Sequence, residues 1–492
     1  MDTESRILGE RKEKVDALLK QGINPYPYSF RRNANAAELK KAYSHFAAEQ
    51  RDPAAKVFRI AGRIMTARLM GKAAFANLMD VSGTIQLYFR QDIVGEESYA
   101  LFKTLDMGDF IGVEGIAFKT KTNELTIEVR HFELLSKSMR PLPEKFHGLK
   151  DPELRYRKRY LDMISNPESK RIFMLRARMI REFRRYLDEQ EYVEVETPIL
   201  QMQYGGAAAK PFITRHNALN TNLFLRISPE PYLKRLLVAG FERIYDLNKN
   251  FRNEGIDFDH NPEFTMIEWY EAYSDYNRMM DMCEEVIKRA AINVFGKMRF
   301  NFRDMDINLE GDWPRIPMAE ALKQHAGLDV DVLSDDELLE LAEQHQYHLP
   351  EKSRGHLINF LFEELVEEKL INPTFIIDHP VKVSPLTKRH RSKDGCVERA
   401  ELFMAKSELA NIYSELNDPA EQRARLEEQE RQRKQDEEHN FPMDEDFCES
   451  LEYGMPPAGG IGIGVDRIFM ILSETSSIRE AILFPTLRPE NR

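Results

Sequence analysis

Cysteine is scarce: three in 492 residues, Cys283, Cys396 and Cys448, far apart and outside any CxxC or His-spaced pattern. That excludes a disulfide framework and a zinc site, and suits a reducing compartment. No apolar run approaches the roughly 20 residues that a membrane-spanning helix needs, so contact with a membrane is not expected. The opening stretch, MDTESRILGERKEK, lacks both the apolar core of a secretory signal and the acid-free Arg/Ser texture of a transit peptide, which points to the cytoplasm. Internal repeats and low-complexity tracts are absent as well. A net charge of -12 excludes wholesale coating of nucleic acid and leaves room only for a local basic zone.

What is present is an ordinary globular balance, 42% hydrophobic and 31% charged, in a chain long enough for two or three cores. Ile7, Leu8, Val15, Leu18 and Leu19 form a helical stripe that ends at Gly22. From about Val57 to Leu135 the texture changes to short alternating runs: Phe58/Ile60/Ile64, Ile85/Leu87/Phe89, Val113, and Leu125/Ile127/Val129. About five strands in so short a stretch predict a small OB-fold barrel, a common reader of oligonucleotides. Residues 140–185 then carry 14 Lys/Arg, among them Arg140, Lys145, Arg155, Arg159, Arg176 and Arg184, against six acids. This is either the basic zone or a solvated helix face. Ile172, Leu175, Met179, Phe183 and Leu187 recur at helical spacing, and YVEVETPIL follows as a strand ended by Pro198. Residues 419–440 have few apolar positions and interleaved charges, and read as an exposed helix.

Chemistry concentrates in residues 243–273, RIYDLNKNFRNEGIDFDHNPEFTMIEWYEAY, which read as two strands joined by a polar loop. Parity puts Asn248, Asn250, Arg252 and Glu254 on one face of the first strand and Phe264, Met266, Glu268 and Tyr270 on one face of the second. An arginine, two carboxylates and aromatic rings sharing a face make an awkward core, because Arg and Glu are rarely buried unpaired. A face of mutually paired charges is one reading. A nucleotide site is the other, with Arg for a phosphate, Phe or His for the base, and carboxylates for a metal or an amine.

FRNEG…HNPEFT resembles motif 2 of class II aminoacyl-tRNA synthetases, GMPPAGGIGIGVDR at 454–467 resembles motif 3, and YVEVETPIL with its preceding helix resembles motif 1. Within class II the chain is most similar to lysyl-tRNA synthetases, from INPYP through GRIMTARLMGKAAFANLMD to IREAILFPTLRP. The resemblance implies an α+β architecture, an N-terminal OB-fold β-barrel plus a class II catalytic domain with an antiparallel sheet flanked by helices. It further implies a helical extension over 1–54, an anticodon-binding barrel over 55–140, a basic linker over 141–165, and a catalytic domain over 166–492 with a helical insertion around 300–372. The activity implied is ATP-dependent activation of L-lysine and its transfer to tRNA(Lys), with Mg2+ as cofactor and a homodimer paired through motif 1.

Residue by residue, the resemblance implies that Arg252 holds the α-phosphate and the amino-acid carboxylate, that Phe264 stacks on adenine near His260, and that Arg467 caps the nucleotide; Glu254 joins the ATP site. Glu401 and Glu408 resemble the pair that holds Mg2+, which suits hard oxygen ligands. The lysine pocket maps onto Gly206, Glu230, Arg252, Glu268, Tyr270, Asn411, Tyr413 and Glu415. Glu230 and Gly206 would face the α-amine, Asn411 and Arg252 the carboxylate, and Glu268, Tyr270 and Glu415 the ε-ammonium. Asn411, Tyr413 and Glu415 share strand parity while Glu408 does not, so a bulge or a strand start is expected between 408 and 411. Gly459, Gly460, Gly462 and Gly464 would let backbone approach ligand closely. In the barrel, Arg68, Phe75 and Gln86 would contact the anticodon, although Phe75 also reads as a barrel-core residue.

The chain departs from the family pattern at Ala405 and Lys406, where a glycine pair is usual, at Lys382, where an acid is common, and at Glu191, where a turn glycine is frequent. A negative φ at 405 and 406 would make the first departure harmless. Aspartate or asparagine specificity would need cations where Glu268 and Glu415 stand. A protein-lysylating relative would lack the barrel, and a catalytically silent paralogue would not need Arg252, Glu401, Glu408 and Arg467.

Overall fold

The computed structural model describes residues 3–143, 149–207, 209–347, 352–433 and 443–490. The chain divides into two units, Met1–Lys150 and Asp151–Arg492.

In the first unit β1 (Val57–Met70), β2 (Ala73–Met79), β3 (Thr84–Arg90), β4 (Phe110–Lys119) and β5 (Leu125–Ser136) close into a barrel in the order β1-β2-β3-β5-β4. Alternation accounts for the closure: Phe58, Ile60, Ile64, Ile85, Leu87, Phe89, Val113, Leu125, Ile127 and Val129 all enter one buried cluster. Periodicity overlooks β2 because two of its inward positions, Ala74 and Ala76, are small and give little hydrophobic contrast. The helix Thr3–Lys20 is held differently from its expected stripe. Leu18 reaches the barrel core and Leu19 is exposed, while buried Arg11 donates to the carbonyls of Ser138 at 2.8 Å and Arg140 at 2.9 Å.

The second unit is built on eight strands: β6 (Val193–Glu194), β7 (Arg243–Phe251), β8 (Glu263–Ala272), β9 (Arg315–Pro317), β10 (Thr374–Ile377), β11 (Arg399–Met404), β12 (Ser407–Ser414) and β13 (Ala458–Gly464). They form one sheet in the order β9-β10-β11-β12-β13-β8-β7-β6, parallel only at the β6/β7 and β9/β10 edges. The two-residue period of a strand sorts its side chains. Ile267 and Trp269, Ala400 and Leu402, Ala410 and Ile412, Ile461 and Ile463 pack against Met179, Phe183, Met279, Cys283 and Ile468 from the helices Pro167–Glu189, Tyr276–Ala290 and Val465–Ser473. The residues between them, Glu268, Glu401, Asn411 and Gly462, fall to the opposite face. Helix Pro167–Glu189 begins where its sequence says it should: the Asn166 side chain accepts from the Glu168 amide, Pro167 follows, and Leu175, Met179, Phe183 and Leu187 are buried. Between β9 and β10, three helices (Met318–Ala326, Asp335–Gln344, Arg354–Leu365) bury Leu322, Leu338, Leu361 and Phe362 in a cluster that meets the sheet at Ile376 and Phe403.

Three expectations are corrected. YVEVETPIL is no continuous strand: only Val193–Glu194 and Leu200–Gln201 are extended ladders, because Pro198 has no N–H to give and the Thr197 hydroxyl is drawn to Asp246 at 2.6 Å. The basic zone is largely a structural network. Eight of its cations, Arg140, Arg155, Arg157, Arg159, Arg171, Arg176, Arg184 and Arg185, are paired with carboxylates of their own unit, and Lys145 lies outside the described residues. Helix Pro419–Arg433 is docked, with Gln422 buried, Leu426 packed on the core and Arg425 donating to the carbonyls of Ser384 and Thr387; positions 434–440 lie outside the described residues.

Candidate active site

The face of the sheet turned away from the helices lines one cleft, walled by β8, β12, β13, the turn around Gly206 and the start of helix Glu230–Val238. β7 and β8 pair in register from Arg243↔Glu271 to Phe251↔Glu263, which sets Phe264, Met266, Glu268 and Tyr270 along the cleft. Arg252 follows β7 directly, tied by its amide to the carbonyl of Pro262 at 2.9 Å, and its guanidinium lies 5.1 Å from the centre of the Phe264 ring. Burial lowers the Arg252 pKa, its Nε has no hydrogen-bond partner, and Glu254 beside it is exposed. A desolvated, under-bonded arginine against an aromatic face is built for a planar anion.

Arg467 reaches the same cleft from the first turn of helix Val465–Ser473 and donates to His260 Nε2 at 2.9 Å and to the Glu408 carbonyl at 2.8 Å. Arginine can only donate, so Nε2 accepts and the His260 proton sits on Nδ1, 2.8 Å from Asp257. Neighbouring Asp466 pins this helix to the sheet: it accepts the Thr265 amide at 2.6 Å and pairs with Arg176.

Glu401 on β11 and Glu408 on β12 are brought together by Asn411, whose side-chain nitrogen lies 3.2 Å from Glu401 Oε1 and 3.3 Å from Glu408 Oε1. The register slips at this point: Leu402 pairs Ala410 but Phe403 pairs Glu408, leaving Leu409 as the extra residue of a bulge. The bulge expected from parity is therefore present between 408 and 411. Burial, then Glu401, pushes the Glu408 carboxyl up to about 7; burial, then Glu408, raises Glu367 to about 7. Arg399 lies behind the pair, bonded to Glu401, to the Asn411 oxygen at 3.1 Å and to Ser384.

Further along the cleft wall are Glu230, Glu268, Tyr270 and Tyr413. Ser228 donates to Glu268 at 3.2 Å, and burial, then Glu230, pushes Glu268 up to about 8. Gly206, at φ 83°, packs its backbone on Ser228 and Pro231, where a Cβ would come within 3.0 Å of Pro231 Cδ. Glu415 is fully buried beside Gly460, where any side chain would collide with Glu415 and Tyr270. The glycine run thus divides by parity. Gly460, Gly462 and Gly464 line the cleft, whereas Gly459 faces the helix side, where a Cβ would lie 2.8 Å from the Asp275 carbonyl. The expectation of ligand contact is corrected there to helix packing.

At the other candidate site, Arg68, Phe75 and Tyr88 are direct cross-strand partners on β1, β2 and β3 and stand outside the barrel core. Phe75 stacks on Tyr88 at 4.6 Å, so its reading as a core residue fails. Gln86 accepts from Thr126 at 2.8 Å one position along.

Lys234, Arg399, Ser228 and Tyr88 escaped the sequence reading. Lys234 was legible as Glu230 plus one helical turn, and Arg399 as Glu401 minus one strand period.

The expected negative φ at Ala405 and Lys406 is corrected: the angles are 55° and 63°. Both residues sit in the two-residue turn closed by Met404 and Ser407, a geometry that glycine and asparagine adopt most easily. Lys406 Nζ turns to Glu368 at 2.9 Å, and Glu191 likewise adopts φ 62°.

A profile of the tRNA synthetases class II (D, K and N) matches residues 151–488, and one of the OB-fold nucleic acid binding domain matches residues 58–135. Lysine–tRNA ligases of Syntrophomonas wolfei and Pelotomaculum thermopropionicum are each 50% identical over 489 residues, 99% of this chain and 98% and 95% of theirs. That of Halalkalibacterium halodurans is 48% identical over 98% of this chain and 97% of its own. Matched over its sheet and cleft by one profile and nearly end to end by such relatives, the chain belongs to the class II tRNA synthetases of the D, K and N group.

Proposed function

We propose that the chain is a lysine–tRNA ligase, activating L-lysine with ATP and transferring it to tRNA(Lys). The observation that carries this reading is the set of three buried carboxylates, Glu230, Glu268 and Glu415, gathered with the phenols of Tyr270 and Tyr413 beside a cleft that also holds Arg252 and Arg467. An aspartate or asparagine side chain would meet acids there, whereas a side chain ending in an ammonium is drawn in. Identity of 48–50% to proteins named lysine–tRNA ligase supports the same substrate.

On this reading Arg252 holds the α-phosphate and the lysine carboxylate, Phe264 stacks on adenine beside His260, Arg467 caps the nucleotide, and Glu254 borders the ATP site. A lysine carboxylate oxygen attacks the α-phosphorus in line, the bond to pyrophosphate breaks, and lysyl-adenylate results. The terminal ribose hydroxyl of tRNA then attacks the activated carbonyl and AMP leaves. Because no protein nucleophile takes part, the residues act by positioning and charge. Gly206 and Glu230 receive the α-amine, while Glu268, Tyr270, Tyr413 and Glu415 surround the ε-ammonium. Asn411 reaches the lysine carboxylate only once Glu401 or Glu408 releases one of its amide hydrogens.

Glu401 and Glu408 fit Mg2+. They share one amide donor, and burial, then Glu401, raises Glu408, so a divalent cation would be favoured between two such oxygen donors. Two carboxylates leave most positions around the ion open, and phosphate oxygens of ATP would be suitable ligands for them. The metal, when bound, offsets phosphate charge. The outward Arg68–Phe75–Tyr88 row, with Gln86, offers a stacking platform for anticodon bases. Exposed Tyr160, Met174, Val193, Leu200 and Ile213 around motif 1 suit pairing of two chains. No described helix is long and apolar enough to cross a membrane, and the reading carries a cytoplasmic setting with it.

Pyrophosphate exchange measured with each of the twenty amino acids tests the proposal: lysine should give the dominant rate. Exchange driven by aspartate or asparagine instead would overturn the substrate, and none with any amino acid would favour a silent paralogue.

A further inference from the structure

Lys234 lies one turn from Glu230 on the same face of helix Glu230–Val238, and its side chain is wholly buried. Its Nζ is 2.6 Å from Glu230 Oε1, 2.6 Å from Glu415 Oε2 and 3.3 Å from the Leu386 carbonyl. The ammonium thus donates to Glu230 and to the Leu386 carbonyl and is ion-paired with Glu415, whose buried oxygens have no hydrogen-bond partner. Burial opposes its charge, but Glu230 and Glu415 outweigh that and keep it protonated. Two of the three carboxylates assigned to substrate ammonium groups therefore already share an ammonium supplied by the chain. Glu268, on β8, is the one without it and takes Ser228 and Tyr270 as partners instead.

The count of charges is informative. Burial keeps Glu268 mostly protonated until an ammonium arrives; once it ionises, three carboxylates against one internal ammonium give a charge of -2, the complement of the α- and ε-ammonium groups of lysine. Without Lys234, Glu230 and Glu415 would lose their shared cation, and a second acid besides Glu268 would take up a proton in place of binding substrate. Geometry adds to this. Glu415 Oε1 occupies the space that a Cβ at Gly460 would take, with Tyr270 flanking the same glycine. Burial pushes the Glu415 carboxyl up to about 8, and the ammonium opposes that rise while fixing the position of a group that the substrate must find ready.

We propose that Lys234 is a positioning and specificity-determining residue for the amino acid, holding Glu230 and Glu415 in place and setting the pocket charge to match the two ammonium groups of lysine. The proposal rests on the reading of the cleft as a lysine site. It makes Lys234 act chiefly through Glu415, with the smaller part carried by Glu230, so Lys234 and Glu415 must be coupled in lysine binding and uncoupled from ATP.

The test is a double-mutant cycle in full-length protein, read as KM for lysine and for ATP in pyrophosphate exchange. Wild type must first exchange with lysine, since failure at that point would refute the site reading and leave the role of Lys234 out of account. Lys234→Met should raise the lysine KM at least tenfold with the ATP KM within twofold, and Lys234→Arg should recover part of the loss. In the Glu415→Gln background the further change Lys234→Met should alter the lysine KM less than threefold. Should Lys234→Met alone fail to fold, Glu415→Gln and Lys234→Met/Glu415→Gln, which removes the pair together, still decide the matter. A lysine KM tenfold worse in the double variant than in Glu415→Gln would overturn the proposal. So would a wild-type lysine KM in Lys234→Met, or equal losses in lysine and ATP.

Discussion

Glu268 is a buried carboxylic acid on the wall of the cleft. Its carboxyl is pushed up to about 8 by burial and by Glu230, so in the empty site it is mostly protonated at neutral pH. A folded pKa above the unfolded value means that ionisation costs stability as pH rises from about 4.5 toward 8, and an incoming ammonium offsets that cost. We expect kcat/KM for lysine to climb with pH up to about 8, and lysine to raise Tm more at pH 8.5 than at pH 6, as read by pH-dependent exchange kinetics and scanning calorimetry. Glu268→Gln should abolish this limb. An opposite charge about 4 Å away contributes roughly 4 kcal/mol at an effective dielectric near 20, so the variant should lose two to three orders of magnitude in kcat/KM for lysine while ATP binding changes little. A pH-independent wild type would remove Glu268 from the pocket.

Two elements make separate predictions. The turn between β11 and β12 holds Ala405 and Lys406 at positive φ, a conformation that costs an ordinary residue roughly 1 kcal/mol or more. Ala405→Asn/Lys406→Gly should therefore stabilise the protein by about 1 kcal/mol in urea unfolding, part of the gain being returned through the freer unfolded chain. Lysine-dependent exchange should stay within tenfold, because Lys406 is engaged with Glu368 and not with Glu401 or Glu408. A hundredfold gain, or a large fall in the Mg2+ needed for half-maximal rate, would show that the strained turn distorts the metal pair. In the barrel, Phe75 and Tyr88 stack outside the core, so Phe75→Ala should leave Tm and lysine exchange almost unchanged. It should slow tRNA charging by the roughly 1–3 kcal/mol that one stacked base is worth. Equal loss in both assays would mean that the ring supports the fold.

For the whole molecule the prediction is assembly. Exposed apolar side chains from Tyr160 to Ile213 sit on the same stretch as the motif 1 strand, which in this structure is reduced to Val193–Glu194 and Leu200–Gln201. Sedimentation at micromolar concentration should give the mass of two chains. Met174→Glu, which places a charge among these exposed residues, should weaken association before it affects the folded core. A wild-type monomer that is fully active would exclude the dimer.

Local chemistry was enough to determine a great deal. The alternation in β1, β3 and β5 marks a barrel because the inward residues, Gly62 apart, are hydrophobes large enough to give contrast, and the stripe from Leu175 to Leu187 marks a helix for the same reason. Arg252, Phe264 and Glu268 stood out because charged and aromatic residues sharing a strand face make little sense as core, whereas Arg467 was pointed to only by the resemblance to motif 3. Parity even required the bulge that Leu409 supplies. Pairing between distant segments was decided only by the tertiary structure. Whether an arginine of the basic zone meets solvent or a carboxylate depends on partners up to hundreds of residues away, as with Arg176 and Asp466. Lys234 looks like any surface lysine until β12 delivers Glu415 to it, and φ at Ala405 follows from the hairpin closed by Met404 and Ser407. Periodicity reports which face a residue occupies, while desolvation and ion pairing depend on what the fold brings to that face.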